Sequence, residues 1–208
     1  MLSHFTWSIN QQPVAAAVRA HTCFLCASAA MRSEILEFHG SSPMITLEPI
    51  TAQNVAIFRD VRLRALQDAP LAFGSTYARE SQFSDEEWLQ RVTRWNGESG
   101  IGYLAMEGGH ACGIAGVLLE EEDGAWAQLV SMWVAPTHRK CGAGRLLVNE
   151  LADWSRQRGV HVMRLTATSS NEPAMLFYQR LGFSRTGRTE PYPNDPALIE
   201  YEMSKPLR

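Results

Sequence analysis

The residues whose types and spacing most clearly suggest a binding site lie between Arg139 and Gly144, where two basic side chains precede two glycines. An apolar run, 127–134, leads into this segment, and a helical pattern of apolar residues follows it. The first N–H groups of a helix have no intrahelical acceptor and carry partial positive charge, so such a turn readily binds phosphate. Arg139 and Lys140 add positive charge, and Gly142 and Gly144 let a ligand approach the backbone. The segment is a candidate pyrophosphate cradle.

Two common phosphate-binding patterns do not fit this turn. A P-loop requires Lys and then Ser or Thr after its last glycine, and Arg145 and Leu146 stand there. A dinucleotide fingerprint requires a third glycine three residues after the second, and that position is Leu147. Nucleoside triphosphate hydrolysis and a nicotinamide or flavin cofactor are therefore disfavoured. A plain tight turn closed by two glycines remains open as an alternative.

The composition bounds the class of protein. The chain has 208 residues, of which 45% are apolar and 20% charged, with a formal net charge of -3. These values are typical of one globular domain with an ordinary core. A general nucleic-acid or membrane-surface binder would need a broad basic surface, so we expect neither partner. No apolar segment reaches the roughly 18 residues that a membrane helix needs.

The four cysteines do not form the dense framework of a small secreted domain, so we expect a reducing, cytoplasmic compartment. Cys23 and Cys26, with His21 beside them, make half of a metal-binding pattern, but no second pair of ligands follows. We therefore expect no metal site.

The chain divides into two parts. Residues 1–43 show no sustained helical or strand period, so we expect a weakly ordered extension or a segment foreign to the native chain. Strand-like patterning begins at Met44, and 44–208 should form the folded domain. Its periodicities predict a mixed α/β domain with the order β α α β β β α β α β β. The one clear β-α-β crossover, 126–168, brackets the glycine turn, so its two strands, the fourth and fifth, should be parallel neighbours.

Local signals set the element boundaries. Ser84 and Glu87 form a capping box at the start of the second helix, and Asn171 precedes the first turn of the last one. Gly108-Gly109 and Asp123-Gly124 are dipeptides that favour hairpin turns. The predicted strands and helices lie at 44–50, 52–67, 84–95, 101–106, 111–119, 126–134, 143–158, 162–168, 171–181, 183–186 and 198–203.

A second motif supports the assignment of the turn to a known kind of site. The segment NEPAMLFYQRLGF, 171–183, follows one strand after MWVAPTHRKCGAGRLL, 132–147. Together they resemble the two signatures of the GNAT superfamily of N-acetyltransferases. The order of elements agrees from Met44 to the C-terminus, whereas 1–43 have no counterpart. The resemblance implies the GNAT fold, a central mixed, mostly antiparallel sheet with flanking helices, in which the fourth and fifth strands are parallel and splay apart.

The resemblance also implies how acetyl-CoA would bind. In the family, acyl-CoA lies between the splayed strands, where the backbone of the fourth strand binds the pantetheine arm and thioester. The corresponding residues are Met132, Trp133 and Val134. The next segment would hold the pyrophosphate through backbone N–H groups and the Arg139 side chain; its residues are Arg139, Lys140, Cys141, Gly142, Ala143 and Gly144. Asn171 would contact the cofactor from the other side, cap its own helix, or do both.

The mechanism implied by the resemblance is direct transfer. A neutral amine attacks the thioester carbonyl, and Tyr178, which stands where many members have a tyrosine, protonates the departing thiolate. Tyr178 is alternatively a core aromatic beside Phe177. The general base is unassigned, because Gln128 and Thr166 occupy the positions where two branches of the family place a glutamate.

Two carboxylates are weak candidates for the base. Glu120 opens a run of three glutamates at a hairpin tip, a place that is usually solvated, and Glu80 lies between the first two helices. A water chain to bulk solvent is a further alternative. The linker 71–77 and the proline-rich loop 190–196, with Tyr192, are candidate walls of the acceptor pocket.

The implied function is transfer of an acetyl group from acetyl-CoA to a primary amine of a small molecule, a peptide or a protein. Two alternatives stay open: an acyl-CoA sensor without turnover, and transfer of a longer acyl group. The resemblance is compatible with a homodimer, which is common in this fold.

Overall fold

The computed structural model describes residues 44–120 and 126–208. The expected extension 1–43, the Asp123-Gly124 turn, Glu121 and Glu122 lie outside these ranges. The strands are β1 (Thr46–Pro49), β2 (Asn96–Gly97), β3 (Gly100–Glu107), β4 (His110–Glu120), β5 (Trp126–Val134), β6 (Val162–Thr168), β7 (Ser184–Tyr192) and β8 (Asp195–Pro206). The helices are α1 (Val55–Asp68), α2 (Tyr77–Glu80), α3 (Asp85–Thr93), α4 (Ala143–Arg156) and α5 (Glu172–Arg180).

The strands form one mixed sheet in the order β1-β3-β4-β5-β6-β8-β7, with β2 beside β3. Every neighbouring pair is antiparallel except β5 and β6, which are parallel and joined through α4. The predicted crossover and the mixed, mostly antiparallel sheet are therefore confirmed.

The parallel pair separates soon after it forms. Only three residues of each strand pair, ending with Gln128 opposite Arg164, although β5 continues to Val134. On its other side β5 stays paired with β4, where Ser131 and Met132 face a single residue, Ala115. Ser131 has a φ of 58°, an uncommon value for a residue with a side chain. This β-bulge bends β5 away from β6 and opens a cleft between them.

The sheet carries helices on both faces because its strands alternate apolar residues between the faces. On one face Leu147 and Leu151 of α4 pack with Leu165 of β6, and on the other Phe58 of α1 packs with Ile114 of β4. All of these side chains are buried. The predicted apolar stripe of α4 is thus the face that fixes this helix against the β5–β6 crossover.

The predicted caps are present, and so is the predicted turn at Gly108-Gly109. The Ser84 Oγ accepts from the N–H of Glu87 at 3.3 Å, and the Glu87 carboxylate accepts from the N–H of Ser84 at 2.7 Å. The Asn171 Oδ1 accepts from the N–H of Ala174 at 3.3 Å at the start of α5. The hairpin of β3 and β4 turns at Gly108 and Gly109, with φ values of 56° and 81°.

The last hairpin differs from its prediction. Strands β7 and β8 are longer than expected and leave only Pro193 and Asn194 between them, so the predicted loop 190–196 was wrong. Prolines suggested a loop, but Pro191 lies in an edge strand, where a missing N–H disrupts no ladder. The short α2 and β2 were also not predicted. In the described ranges, no helix is long and apolar enough to cross a membrane.

Candidate functional site

The cleft begins where β5 leaves β6, and its first wall is the splayed part of β5. Met132, Trp133 and Val134 all lie in this part, beyond the last pair at Gln128. Met132 packs in the layer that contains α4, whereas Trp133 is buried in the opposite layer. Both faces of β5 are therefore covered, and the strand presents backbone groups along the edge that has separated from β6.

The turn before α4 lies at the end of this edge. Lys140 and Gly142 both have positive φ, 68° and 97°, and the Gly142 carbonyl accepts the first helical bond of α4 from Leu146. A side chain at Gly142 would meet no atom within 4 Å, so glycine is required there by conformation while the space above it is open. The first N–H groups of α4 point out of the helix at this place.

Gly144 has a different role from Gly142. A Cβ atom on Gly144 would lie 3.0 Å from Met132 Cε and 3.0 Å from Phe177 Cζ. Glycine at 144 therefore lets β5 and α5 pack closely against the start of α4. This packing accounts for the residue without any contact to a ligand.

The side chains of the turn are arranged unevenly. The Arg139 guanidinium folds back, with Nε donating to the Val134 carbonyl at 3.1 Å and Nη2 donating to Asp68. Lys140 and Cys141 are exposed, and the Cys141 thiol donates to the His138 carbonyl. Ala143 is buried as the first residue of α4. Both cations are exposed, and Arg139 is the one whose guanidinium donates to protein oxygens.

Helix α5 forms the other wall. Phe177 reaches the start of α4, and Tyr178 is buried between Phe177 and Phe183, with ring centroids 5.3 and 5.7 Å away. Burial raises the pKa of the Tyr178 phenol well above its usual value of 10.0. The phenol therefore keeps its proton throughout the neutral range. Asn171 caps the same helix, as one of its two expected roles requires.

Glu80 is held in a buried ion pair. Its side chain is completely buried, and Arg62 binds it in bidentate fashion at 2.9 and 2.8 Å, while Arg91 adds a third bond at 3.2 Å. Burial by itself would raise the pKa of this carboxyl, but the bonds and charge of Arg62, followed by the charge of Arg91, outweigh it and lower the pKa. A carboxylate so stabilised is a poor proton acceptor, which disfavours Glu80 as the base.

Glu120 lies at the wrong end of the sheet for a base. It stands opposite Trp126, where β5 and β6 still pair, and five residues separate Trp126 from the bulge at Ser131. At roughly 3.3 Å per residue, that is about 17 Å along the strand. This position disfavours Glu120 as well.

Two further carboxylates, which the sequence did not single out, lie beside the end of β6. Glu200 and Glu202 of β8 are directly opposite Thr168 and Thr166 of β6 and partly buried. Burial, followed by the charge of Glu190 across the β7–β8 ladder, raises the pKa of Glu200. No local sequence pattern indicates that Glu200 and Glu202 lie beside β6, because their position depends on β8 lying between β6 and β7.

Three hydrogen bonds hold the linker after α1, a candidate wall of the acceptor pocket, against the last hairpin and the end of β6. The Tyr192 hydroxyl donates to the carbonyl of Phe73 at 2.8 Å, Asn194 donates to the same carbonyl at 3.0 Å, and Thr168 donates to the carbonyl of Leu71 at 3.0 Å. Tyr192 is buried, so it fixes the linker and does not project as a loop side chain. The linker and the end of β6 thus lie together on the face that carries Glu200. Across 44–120 and 126–208, no three His, Cys, Asp or Glu residues are grouped to hold a metal ion.

Comparison with known proteins agrees with this geometry. The model of the acetyltransferase (GNAT) family matches residues 63–183. Ribosomal protein bS18-alanine N-acetyltransferase of Escherichia coli K12 is 32% identical over 110 residues, 51% of this chain and 71% of that protein. Streptothricin acetyltransferase of Streptomyces lavendulae is 41% identical over 66 residues, 30% of this chain, which spans only 35% of that relative.

The fold is shared with solved structures as well. A GNAT acetyltransferase from Streptococcus pneumoniae superposes with a TM-score of 0.67 at 18% identity, covering 79% of this chain and all of that one. At this identity the likeness concerns the fold alone. The shared fold is the mixed sheet with its flanking helices.

Proposed function

Because the chain belongs to the GNAT family of acetyltransferases, we propose that it transfers an acetyl group from acetyl-CoA to a primary amine of a small molecule, a peptide or a protein. The observation that carries the proposal is the early separation of β5 from β6 directly before the open turn of α4. This arrangement supplies, in one line, a backbone edge for the pantetheine arm and a helix N-terminus for the pyrophosphate.

The donor side uses few charged side chains. Backbone groups of Met132, Trp133 and Val134 bind the pantetheine arm and the thioester, and a strand N–H polarises the thioester carbonyl. The pyrophosphate rests on the N–H groups from Cys141 to Gly144, with Lys140 adding positive charge. Asn171 lies at the start of α5 and contacts acetyl-CoA from the other wall. The openness around Gly142 supports this placement.

The reaction is a direct displacement at the acetyl carbon. The neutral amine forms the new C–N bond, and the resulting tetrahedral intermediate collapses by breaking the C–S bond. Tyr178 donates its proton to the leaving sulfur, and the proton that the nitrogen loses as the amide forms returns to the phenolate through solvent. The raised pKa of Tyr178 keeps the phenol protonated until the thiolate develops, so position and not acidity carries its effect.

Glu200 is the carboxylate that we assign to the amine. It lies opposite Thr168 at the end of β6, next to the linker that closes the acceptor side. Its raised pKa makes it a better proton acceptor than an ordinary exposed glutamate. Glu190 opposite it adds negative charge on the same side, which favours acceptors that carry a protonated amine. The acceptor class that follows is a cationic amine.

Turnover with a panel of amines tests the proposal. Release of the CoA thiol from acetyl-CoA is measured with polyamines, aminoglycosides, amino acids and short peptides, and acceptors with several amino groups should react faster than monoamines of similar size. Tyr178→Phe should lower kcat by about 100-fold with unchanged acetyl-CoA affinity. Tyr103→Phe, a partly buried tyrosine on β3, is the matched control.

Two outcomes would contradict the proposal. Binding of acetyl-CoA without turnover of any acceptor, together with no effect of Tyr178→Phe, would favour a sensor. Faster transfer from a longer acyl-CoA than from acetyl-CoA would favour the longer-acyl alternative.

A further inference from the structure

A carboxylate at the end of α1 lies directly behind the turn. Asp68 is the last residue of α1, and its Oδ2 accepts from the Trp133 indole Nε1 at 2.8 Å and also from the Arg139 guanidinium. The Nε of the same guanidinium donates to the Val134 carbonyl at 3.1 Å. Helix α1, strand β5 and the turn before α4 therefore meet at one oxygen atom.

Helix α1 does not explain a carboxylate at this position. The C-terminal end of a helix carries partial negative charge, so an acidic side chain there is unfavourable. The last turn of α1 contains no basic residue that would offset this charge. The contacts of Asp68 with Trp133 and Arg139, which lie 65 and 71 residues further along the chain, provide the compensation.

Trp133 is fixed on its face as well as at its edge. The Arg64 guanidinium carbon lies 5.7 Å from the centre of the ring, and Arg64 itself donates to the Ala111 carbonyl at 2.9 Å. The ring is buried and belongs to the splayed part of β5. The splayed part of β5 is therefore held at Trp133 by side-chain contacts made on the face of the strand that packs against α1.

The Arg139 guanidinium is likewise held by contacts within the protein. Two of its three nitrogens donate to protein oxygens, and the negative charge of Asp68 offsets its positive charge. A guanidinium in this position contributes little net charge to a ligand on the open side of the turn. Positive charge for an anion on that side comes from Lys140 and from the N-terminal end of α4.

We propose that Asp68 is a positioning residue for the acyl-CoA site, and that Arg139 acts through Asp68 and not by binding phosphate itself. The carboxylate fixes the splayed edge of β5 and the glycine turn in one relative position. This inference rests on the proposed function, because the ligand that benefits is acetyl-CoA.

The test uses four single variants of the full chain and one double variant. Asp68→Asn keeps an acceptor for the indole and removes the charge, and Arg139→Met removes the guanidinium but keeps much of its apolar stem. Asp85→Asn is the matched control, because Asp85 makes an exposed ion pair with Arg59 of α1. Lys140→Met removes the exposed cation of the turn. Acetyl-CoA affinity is measured by calorimetry at several salt concentrations.

Asp68→Asn and Arg139→Met should each weaken acetyl-CoA binding by roughly three- to tenfold. The double variant should bind acetyl-CoA no more weakly than the single variant with the lower affinity, because the two residues act as one unit. The double variant, which loses both charges of the pair, should keep the salt dependence of the wild type, whereas Lys140→Met should reduce it. Asp85→Asn should bind as the wild type does. Wild-type affinity in Asp68→Asn, with loss of affinity in Arg139→Met and reduced salt dependence in the double variant, would overturn the inference in favour of direct phosphate binding.

Hydrogen exchange of the ligand-free chain separates this inference from the proposed function. Asp68→Asn should speed exchange of the backbone amides between 136 and 144, and Asp85→Asn should not. Unchanged exchange in Asp68→Asn would overturn the positioning role. Wild-type chain that binds no acetyl-CoA would overturn the proposed function, while the exchange result would still decide whether Asp68 holds the turn.

Discussion

At the scale of single residues, the chemistry depends on carboxylates and phenols whose surroundings differ. Glu80 is buried with two arginines, so its pKa is lowered, whereas Glu200 is partly buried opposite another glutamate, so its pKa is raised. The arginines lower the pKa of Glu80 against the effect of its burial, whereas burial, followed by the charge of Glu190, raises the pKa of Glu200. The surroundings therefore suit Glu80 for an ion pair and Glu200 for accepting a proton.

Replacing Glu200 by glutamine should remove one ionisation from the pH dependence of kcat/KM. A base must be deprotonated, so kcat/KM should fall as the pH drops through the raised pKa of Glu200, above the usual 4.5. Glu200→Gln should lower kcat/KM at neutral pH by about 100-fold and abolish that acid limb. The measurement is the pH profile of kcat/KM.

The control for this variant is Glu202→Gln, two residues away on the same face of β8 and opposite Thr166. The free energy of unfolding of Glu200→Gln shows whether its loss of activity comes from the missing base or from a less stable fold. A raised carboxyl pKa means that stability is highest below the unfolded value and declines as the pH rises through the folded one. Glu200→Gln should therefore be as stable as the wild type or more stable at neutral pH. An acid limb that survives in Glu200→Gln would exclude Glu200 as the base.

At the scale of elements, the start of α4 combines two glycines with different physical reasons. Gly142 is required by a φ of 97°, and Gly144 by the close packing of Met132 and Phe177. The sequence presents them as one Gly-x-Gly pattern. The structure separates them, because one adopts a left-handed conformation in open space and the other lies in a crowded interface.

Gly142→Trp should abolish measurable acetyl-CoA binding, because a large side chain would fill the open side of the turn. Gly159→Trp is the matched control: Gly159 follows α4, has a φ of 75° and likewise has open space around it. Backbone strain of about 1–3 kcal/mol should lower the melting temperature similarly in both variants. Only the first should lose affinity in calorimetry, and equal affinities would contradict the assignment of the turn.

At the scale of the whole molecule, one buried carboxylate joins three helices to the sheet. Glu80 of α2 binds Arg62 of α1 and Arg91 of α3, and the Arg62 Nη1 reaches the Ser131 hydroxyl at 3.4 Å. The guanidinium of Arg62 also lies over the Phe73 ring at 4.6 Å. Helices α1, α2 and α3 are thus fixed relative to the bulge of β5.

Glu80→Gln should lower the free energy of unfolding by about 3–5 kcal/mol, because it leaves the buried Arg62 and the partly buried Arg91 without their counter-charge. A lowered carboxyl pKa stabilises the fold above the unfolded value near 4.5 and loses that effect as the pH falls through the folded value. The difference between wild type and variant, measured by urea unfolding, should therefore shrink in acid. Asp85→Asn, which breaks the exposed pair with Arg59, is the control and should cost about 1 kcal/mol or less.

The parts of the fold that sequence predicted are those whose causes are local. The capping box at Ser84, the cap at Asn171, the apolar stripe of α4 and the β5–α4–β6 crossover depend on residues a few positions apart. The prolines around Tyr192 misled the prediction of the last hairpin, because an edge strand accepts a residue that a central strand would not.

The sequence by itself determined the family and the position of the candidate cradle, because a glycine turn before an amphipathic helix is specified by neighbouring residues. Only the tertiary structure decided which charges surround that site. Asp68 meets Arg139 across 71 positions, and Glu200 faces Thr168 because β8 pairs with β6. These partners are set by sheet order and helix packing, which depend on the burial of the whole core and on no short pattern. The donor half of the site could therefore be predicted from its motif, while the acceptor half required the fold.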